Sequence, residues 1–451
     1  MTTSDAFIAA NRFGLGSRPG ELAEIASDPR GWITGQISIV NAVPPELRNF
    51  PSSAEIIKGI NEARIKGPEY LRSMMGQGYR ETLFPEIVAR TQAHIRTAEP
   101  FRERMVLFWA NHFTVSVTKR IIGPTIGAYE REAIRPHVFS RFEDMLLATA
   151  HHPTMLSYLD NNISFGPNSR VGRRRGRGLN ENLAREILEL HTLGVNGGYT
   201  QADVTEFAKI LTGWTHGGTR SKQSLRRLGP IHGRFEYREI FHEPGPKTLL
   251  GKRFSENGEQ EGVDALKTLA RHPATAKFIA EKLARHFIAD DPPTAAVKAL
   301  EDAFRQSGGH LGTVSRTLIG LDAVWSEPLA KVKTPYELVV STLRAVAFDD
   351  IGQRAFLGAF REMGQRPFSA PSPAGWPDRA KDWMSPESLM RRVEWLRAIS
   401  ARLPRSLNPD RIAEQTIGPV ISARTEEMIA AAPSGEEALA LLFASPEFQR
   451  R

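Results

Sequence analysis

Cysteine is absent from all 451 positions of the chain. Thiolates act as nucleophiles, as zinc ligands and as the anchors of iron–sulfur clusters, so this absence excludes each of those sites together with disulfides. Any catalytic or metal-binding group must therefore come from other side chains. The absence does not assign the protein to a cellular compartment.

Long apolar runs are also missing. No stretch approaches the roughly 18 uncharged apolar residues that cross a bilayer, and the start, Met1 to Asp5, has neither the basic region nor the apolar region of a signal peptide. The sequence therefore predicts a soluble protein without a transmembrane segment. We expect it in the cytoplasm unless it is exported by other means, for example together with a partner.

Three common catalytic or nucleotide-binding signatures are not found. There is no His-Glu-x-x-His and no Gly-x-Ser-x-Gly pattern, and Pro246 stands where a phosphate loop ending at Gly251-Lys252 would need its first glycine. Metalloprotease, serine hydrolase and nucleotide-binding interpretations are therefore disfavoured. No cofactor and no metal ligand is assigned from the sequence.

Charge, by contrast, is plentiful in both signs. The 59 basic and 51 acidic residues leave a formal net charge of +8, which favours anionic partners. The two signs are mostly interspersed, and no helix-turn-helix, zinc-finger or RNP pattern accompanies the excess of positive charge. Nucleic acid is therefore not an expected partner.

Apolar residues recur with the helical period along most of the chain, and Thr200 with Asp203 has the pattern of a helix N-cap and its reciprocal acid. We predict a mainly α protein with one large multi-helix domain over residues 1–451. The expected helices lie near 53–64, 81–97, 100–116, 126–135, 139–150, 180–193, 201–212, 258–271, 274–288, 294–306, 311–320, 334–347, 386–400 and 424–450.

Two segments interrupt this pattern. Within 215–254, the alternating run 235–237 and the apolar run 248–250 flank a Pro/Gly turn, which predicts a small β-hairpin insertion. Residues 367–386, here called the Pro/Trp segment, are rich in proline and carry Trp376 and Trp383. Tryptophan is unusual in linkers, so we expect this segment to pack on the helical body.

The stretch 180–193 is the densest in polar side chains. On a helical wheel its polar residues share one face, whereas His191 lies on the opposite, apolar face and should be buried. The polar face could hold a carboxylate pair for acid/base chemistry or for a cation. Spacing alone favours the alternative, a solvated face whose local ion pairs contribute about 0.3–0.5 kcal/mol. Its members are Asn182, Arg185, Glu186 and Glu189.

The stretch Met105 to Phe113 is apolar around its whole circumference, which predicts a buried helix. Asn111 and His112 are the polar residues within it. Leaving a buried polar group unpaired costs about 1–3 kcal/mol. Each of the two therefore has either a structural partner or a place at a cavity where its polarity is used.

These stretches resemble a bacterial family known as domain of unknown function 1800. The resemblance extends from about residue 8 to 400 and implies a single helical unit. It implies no mechanism, although members resemble exported proteins that often accompany a sulfatase-like family carrying a twin-arginine signal. The matching blocks include Asn11 to Gly16, Phe108 to Phe113, His152 to Asp160, Asn180 to Gly194, Tyr199 to Val204, Leu211 to Trp214, His242 to Gly251, His272 to Ala276, Lys333 to Glu337 and Ala374 to Pro377.

The resemblance strengthens the polar residues of these blocks as site candidates. Our first hypothesis is a hydrolase-type enzyme that acts on an envelope or extracellular polymer in a cleft between the 100–116 and 180–193 helices. Its catalytic candidates are Glu186 or Glu181 with Asp160 as acid and base, oriented by Arg185 and His112. Its substrate-binding candidates are Trp109, Asn111, Asn180, Asn182, His242 and Lys247.

Two alternatives remain open. One is a non-catalytic helical partner of an exported sulfatase-like protein, as the resemblance implies. The other is a metal-binding protein that uses Glu186, Glu189, Asp160 and a histidine, although the Glu-x-x-His repeat of carboxylate bundles is absent.

Overall fold

Several helices begin with a short hydroxyl residue followed three positions later by an acid. In such a capping box the hydroxyl accepts a backbone N–H of the first turn, while the acid accepts the N–H of the cap residue. The box predicted at Thr200 and Asp203 is present. Two more start helices elsewhere: Ser52 with Glu55, and Thr334 with Glu337.

The computed structural model describes residues 3–38, 43–176, 178–216 and 232–451. These ranges form a mainly α-helical single domain, which confirms the predicted fold class. None of their helices has both the length and the apolar composition needed to cross a bilayer. The α-helices are Ser4–Ile8, Glu21–Ile25, Pro29–Gly35, Ser53–Lys66, Pro68–Gly78, Phe84–Arg96, Pro100–His112, Ile126–Tyr129, Phe142–His151, Pro153–Tyr158, Arg170–Arg175, Asn182–Glu186, Gln201–Ile210, Glu259–Ala270, Pro273–Phe287, Thr294–Gln306, Leu311–Gly320, Pro335–Ala345, Gln353–Glu362, Pro386–Ser400, Pro409–Thr416, Ala423–Ala430 and Gly435–Ala444.

π-Helical turns interrupt the regular α-helical period. One of them changes the predicted 180–193 helix, which is α-helical over Asn182–Glu186 and π-helical beyond. A rotation of 100° per residue does not apply in a π-helix. The α-helical wheel therefore does not fix the position of Glu189, which nevertheless lies close enough to Glu186 to raise its pKa and whose carboxylate accepts a 3.4 Å hydrogen bond from Tyr199. The π-helical turns of the described ranges are Ala9–Phe13, Tyr79–Leu83, Glu130–Ile134 and Ile187–Thr192.

The predicted β-hairpin insertion contains two short antiparallel ladders. The pairing of 235–237 with 248–250 that the turn suggested is wrong, because the second run folds back on its own continuation. Leu250 and Gly251 both have positive φ, 49° and 73°, as a two-residue hairpin turn requires. Residues 217–231 of the predicted insertion lie outside the described ranges. The paired strands are Trp214–Thr215 with Glu236–Tyr237, and Lys247–Leu249 with Lys252–Phe254.

The predicted buried helix spans Pro100–His112 and is here called the central helix. Trp109 is fully buried on it. Its ring packs against Phe108, His112 and Phe142, with ring centroids 4.9, 5.3 and 5.9 Å away. Such aromatic packing fixes the helix within the core and sets the direction in which its polar residues point.

Buried ion pairs join parts of the chain that are distant in sequence. Arg104 of the central helix donates to the backbone carbonyls of Gly14 (2.5 Å) and Asn11 (3.1 Å), and it forms an ion pair with Glu337. Arg451 contacts the same carboxylate at 3.1 Å. All three charged side chains are buried. Glu337 therefore holds together the N-terminal turn, the central helix and the end of the chain.

Replacing Glu337 by Gln should destabilise the protein strongly. Glutamine can keep the capping box with Thr334, but it leaves the buried Arg104 and Arg451 without their shared counter-charge, a loss of about 3–5 kcal/mol. Chemical denaturation followed by circular dichroism measures the effect. The matched control is Glu55→Gln in the exposed capping box of Ser52, for which we expect a change within about 0.5 kcal/mol.

The loss of stability in Glu337→Gln should depend on pH. Burial opposes ionisation of Glu337, but Arg451 and Arg104 outweigh it and hold its pKa well below the usual value. Its ionic contribution is therefore complete above the unfolded-state pKa of about 4.3 and is lost as the pH falls below it. The stability gap between wild type and Glu337→Gln should narrow in acid. An unchanged gap down to pH 3 would contradict this assignment.

Candidate functional site

A cavity of about 380 Å³ lies beside the central helix. Its other walls come from the Pro273–Phe287 helix, the start of the Pro335–Ala345 helix and the Pro/Trp segment. A volume of this order can hold a small ring-sized group of a ligand.

The Pro273–Phe287 helix carries three basic side chains on the cavity side. Lys282, Arg285 and His286 all line the cavity, and their spacing of three and four residues puts them on one helix face. Leu283 and Phe287, between and beyond them, are buried in the core. The amphipathic pattern of this helix therefore anchors it in the core and directs its three basic side chains toward the cavity.

Lys282 and His112 form the first polar pair of the cavity. The amine of Lys282 donates to Nδ1 of His112 at 3.0 Å, and Nε2 of His112 donates to the carbonyl of His191 at 3.0 Å. Burial lowers the pKa of Lys282 to about 8, with Asp378 opposing and Arg285 reinforcing the shift. Burial and Lys282 hold the pKa of His112 well below its usual value, so His112 is neutral at pH 7.

His286 and Asp378 form the second pair. Nδ1 of His286 donates to the Asp378 carboxylate at 2.8 Å, while Nε2 has no hydrogen-bond partner among the described residues. Burial lowers the pKa of His286, although Asp378 opposes the shift. For Asp378 itself, burial is outweighed by His286, Lys331 and Arg451, which keep its pKa below the usual value. At neutral pH the pair is a neutral imidazole held by a carboxylate.

Asn111 fastens the Pro/Trp segment to the central helix. Its side-chain amide donates to the carbonyl of Trp376 at 2.9 Å and accepts the N–H of the same residue at 2.7 Å. Gly375 has φ of +84°, and a Cβ there would lie 2.5 Å from the carbonyl oxygen of Asn111. The Trp383 indole donates to the carbonyl of Pro377 at 3.0 Å. This cavity wall therefore depends on one amide and one glycine.

Family membership is decided by the sequence as a whole. The family model described as "Protein of unknown function (DUF1800)" matches residues 8–450. The chain belongs to this family. No curated protein and no solved structure matches it.

In this DUF1800 member, two of the eleven predicted site residues, Asn111 and His112, line the cavity. The buried helix predicted to need either structural partners or a cavity has both. The amide of Asn111 is used to hold Trp376, and His112 is bonded through both ring nitrogens. Trp109 is fully buried behind them, so it offers no free ring face.

The carboxylates of the 180–193 stretch lie outside the cavity lining. Glu181 accepts hydrogen bonds from Arg185, Gln201 and Thr205 at 3.0, 2.9 and 2.7 Å, which tie two helices together. Glu186 is half-buried and has no ion-pair partner among the residues that the structure describes, and burial together with Glu189 raises its pKa. The two carboxylates predicted as catalytic therefore differ: Glu181 is held by three hydrogen bonds, whereas Glu186 is less constrained.

The remaining predicted residues also lie elsewhere in the DUF1800 fold. Asp160 has a left-handed backbone, φ 59°, and an ion pair with Lys119 at 2.5 Å. The side-chain oxygen of Asn180 accepts the N–H of Asn182 at 2.9 Å, which shapes the turn before the helix. His191 is buried as predicted, and burial lowers its pKa to about 3.

His242 and Lys247 belong to a buried network outside the cavity lining. Nε2 of His242 lies 3.0 Å from the Glu261 carboxylate and 2.9 Å from the amine of Lys247, which itself contacts Glu261 at 3.0 Å. Nδ1 of His242 donates to the carbonyl of Thr212 at 2.8 Å. The network joins the second β-ladder to the helical body.

Metal binding receives no support from the described residues, which contain no group of three or more His, Asp or Glu side chains arranged to hold an ion. The sequence interpretation missed Lys282, Arg285, His286 and Asp378. Their signals were the spacing of the three basic residues on one helix face and the position of Asp378 directly after the Gly375-Trp376-Pro377 block.

Replacing Gly375 by Ala should displace the Pro/Trp segment. The added Cβ collides with the Asn111 backbone in addition to the strain of positive φ, for a total of about 2–4 kcal/mol. Gly364→Ala is the control, because this glycine also has positive φ, +80°, but open space around it. We expect it to cost about 1–2 kcal/mol. Calorimetric unfolding of both variants measures the difference, and equal losses would count against the contact.

Proposed function

We propose that this protein is a hydrolase-type enzyme whose reaction takes place in the cavity, with His286 as general base and Lys282 as general acid. The observation that carries the proposal is that two hydrogen-bonded pairs of titratable side chains, His286 with Asp378 and Lys282 with His112, converge on one cavity. Perturbed pKa values at groups that line a common pocket are typical of catalytic sites.

His286 has the protonation state that a general base needs. Asp378 accepts the Nδ1 hydrogen and so selects the tautomer in which Nε2 carries the free electron pair. The lowered pKa keeps the ring neutral at pH 7. Nε2 is covered in this structure, so substrate binding has to admit water to it before His286 takes a proton there. Asp378 then stabilises the charged ring that results.

Lys282 has the protonation state that a general acid needs. With a pKa of about 8 it is mostly protonated at pH 7, yet it gives up its proton far more readily than an exposed lysine. His112 is a positioning residue, because its Nδ1 accepts one amine hydrogen while its other nitrogen is bonded to the backbone. The remaining amine hydrogens are available to a leaving group.

The proposed step is a general acid/base hydrolysis. Water loses a proton to Nε2 of His286 as its oxygen bonds to the electrophilic atom of the substrate. The bond to the leaving group breaks, and the leaving group takes a proton from Lys282. His286 then returns its proton through solvent and Lys282 is reprotonated, so that the enzyme is unchanged.

An envelope or extracellular polymer remains the proposed substrate. The half-buried Trp376 lines the cavity and can stack on a sugar-like ring, whereas Trp109 and Trp214 are fully buried. Such a substrate would require export, in keeping with the exported proteins and the sulfatase-like partners that the family resemblance implies.

A panel of p-nitrophenyl acetate, phosphate, sulfate and glycosides tests the proposal. We expect His286→Gln and Lys282→Met to lower kcat by about 10²–10⁴-fold. The control Lys277→Met changes an exposed lysine of the same helix and should keep full activity. Glu186→Gln tests the carboxylate predicted from the sequence and should also remain active.

Two results would contradict this assignment. Wild-type rates in folded His286→Gln and Lys282→Met, with a loss in Glu186→Gln, would return the chemistry to the 180–193 stretch. Absence of hydrolysis by the wild type across the panel would favour the non-catalytic partner instead.

The rate should depend on pH through both groups. His286 must be neutral, so kcat/KM should fall in acid as the pH drops through its lowered pKa, below 6.5. Lys282 must be protonated, so kcat/KM should fall again as the pH rises through about 8. Initial rates between pH 4 and 10 show both limbs. An alkaline limb that persists in Lys282→Met would exclude this lysine as the acid.

A further inference from the structure

The cavity has more positive charge than its own acids neutralise. Three of its arginines are paired with acidic side chains: Arg90 with Glu130, Arg104 with Glu337, and Arg379 with Asp291. Arg285 and Arg366 also line the cavity, and within the described ranges the side chain of neither forms an ion pair or a hydrogen bond. Two guanidinium groups at one cavity are therefore without a protein counter-charge.

The acids of the cavity do not change this balance. Glu337 is shared between Arg104 and Arg451. Asp378 is held by His286, with Lys331 and Arg451 at 3.7 and 3.9 Å. Asp382, the remaining acid of the lining, is exposed and has no basic group within 4.0 Å among the described residues.

Of the two unpaired arginines, Arg285 is the more buried. Its Nε is fully covered and has no hydrogen-bond partner in the described part of the chain. Arginine cannot lose its proton at accessible pH, so it cannot avoid the cost of burial as Lys282 partly does. Its planar fork matches the paired oxygens of an oxyanion. Arg366 is exposed and lies at the same cavity, where it can neutralise further charge.

We infer that the ligand of this cavity carries an acidic oxyanion, a carboxylate, sulfate ester or phosphate ester, which Arg285 binds with support from Arg366. The acidic group sits beside a ring that can stack on Trp376. The inference rests on the proposed function for the location of the site and narrows its substrate to an acidic polymer unit. It concerns binding, so it is tested without turnover.

Titration calorimetry with glucuronate, glucose 6-sulfate, glucose 6-phosphate and uncharged glucose tests it. We expect at least one acidic sugar to bind the wild type at least tenfold more tightly than glucose, and the preferred probe identifies the oxyanion. Arg285→Met should lose at least tenfold in affinity for that probe, and Arg285→Lys should recover only part of it, because an ammonium lacks the planar fork.

Arg305→Met is the control. Arg305 is exposed and pairs with Glu301 within the Thr294–Gln306 helix, which does not line the cavity, so the affinity of this variant should match that of the wild type. His286→Gln should still bind the probe. Binding by His286→Gln and by the wild type without hydrolysis in any assay would refute the proposed function and leave this inference standing. Equal affinity for glucose and the acidic sugars, no binding of any acidic sugar, or unchanged affinity in folded Arg285→Met would overturn the inference.

Discussion

The rest of the structure depends on the buried ion pairs of the Glu337 carboxylate. It is buried between Arg104 and Arg451, and Arg104 also bonds to the backbone of the N-terminal turn. A buried charge is tolerated only with well-placed partners, so the fold requires these three segments to pack in the arrangement that pairs Glu337 with both arginines. Glu337 itself lines the cavity, which means that the group closing the core also forms part of the site wall.

The Pro273–Phe287 helix also contributes to both the core and the cavity. Its apolar residues fill the core, while Lys282, Arg285 and His286 face the cavity. Low exposure explains both the depressed pKa of Lys282 and the cost of leaving Arg285 unpaired. The same burial that stabilises the helix therefore also perturbs the polar residues that it places at the cavity.

The sequence interpretation was most successful where the interactions are local. The capping box of Thr200, the buried central helix and the burial of His191 all depend on neighbours within about one helical turn. It was wrong about the pairing of 235–237, because a two-residue turn at Leu250 and Gly251 was not recognised. It also applied one helical period across the π-turn that begins at Ile187.

The sequence alone determined the helical class, the family and the exclusion of cysteine chemistry, and it identified Asn111 and His112 as polar groups in a costly position. Only the tertiary structure decided what those groups face. Lys282 reaches His112 across 170 residues, and His286 reaches Asp378 across 92. Periodicity and capping act over three or four residues, whereas a cavity forms where distant segments pack. The local pattern therefore showed that the central helix had to be buried. Which charged residues lie beside it depends on how distant segments pack in the fold.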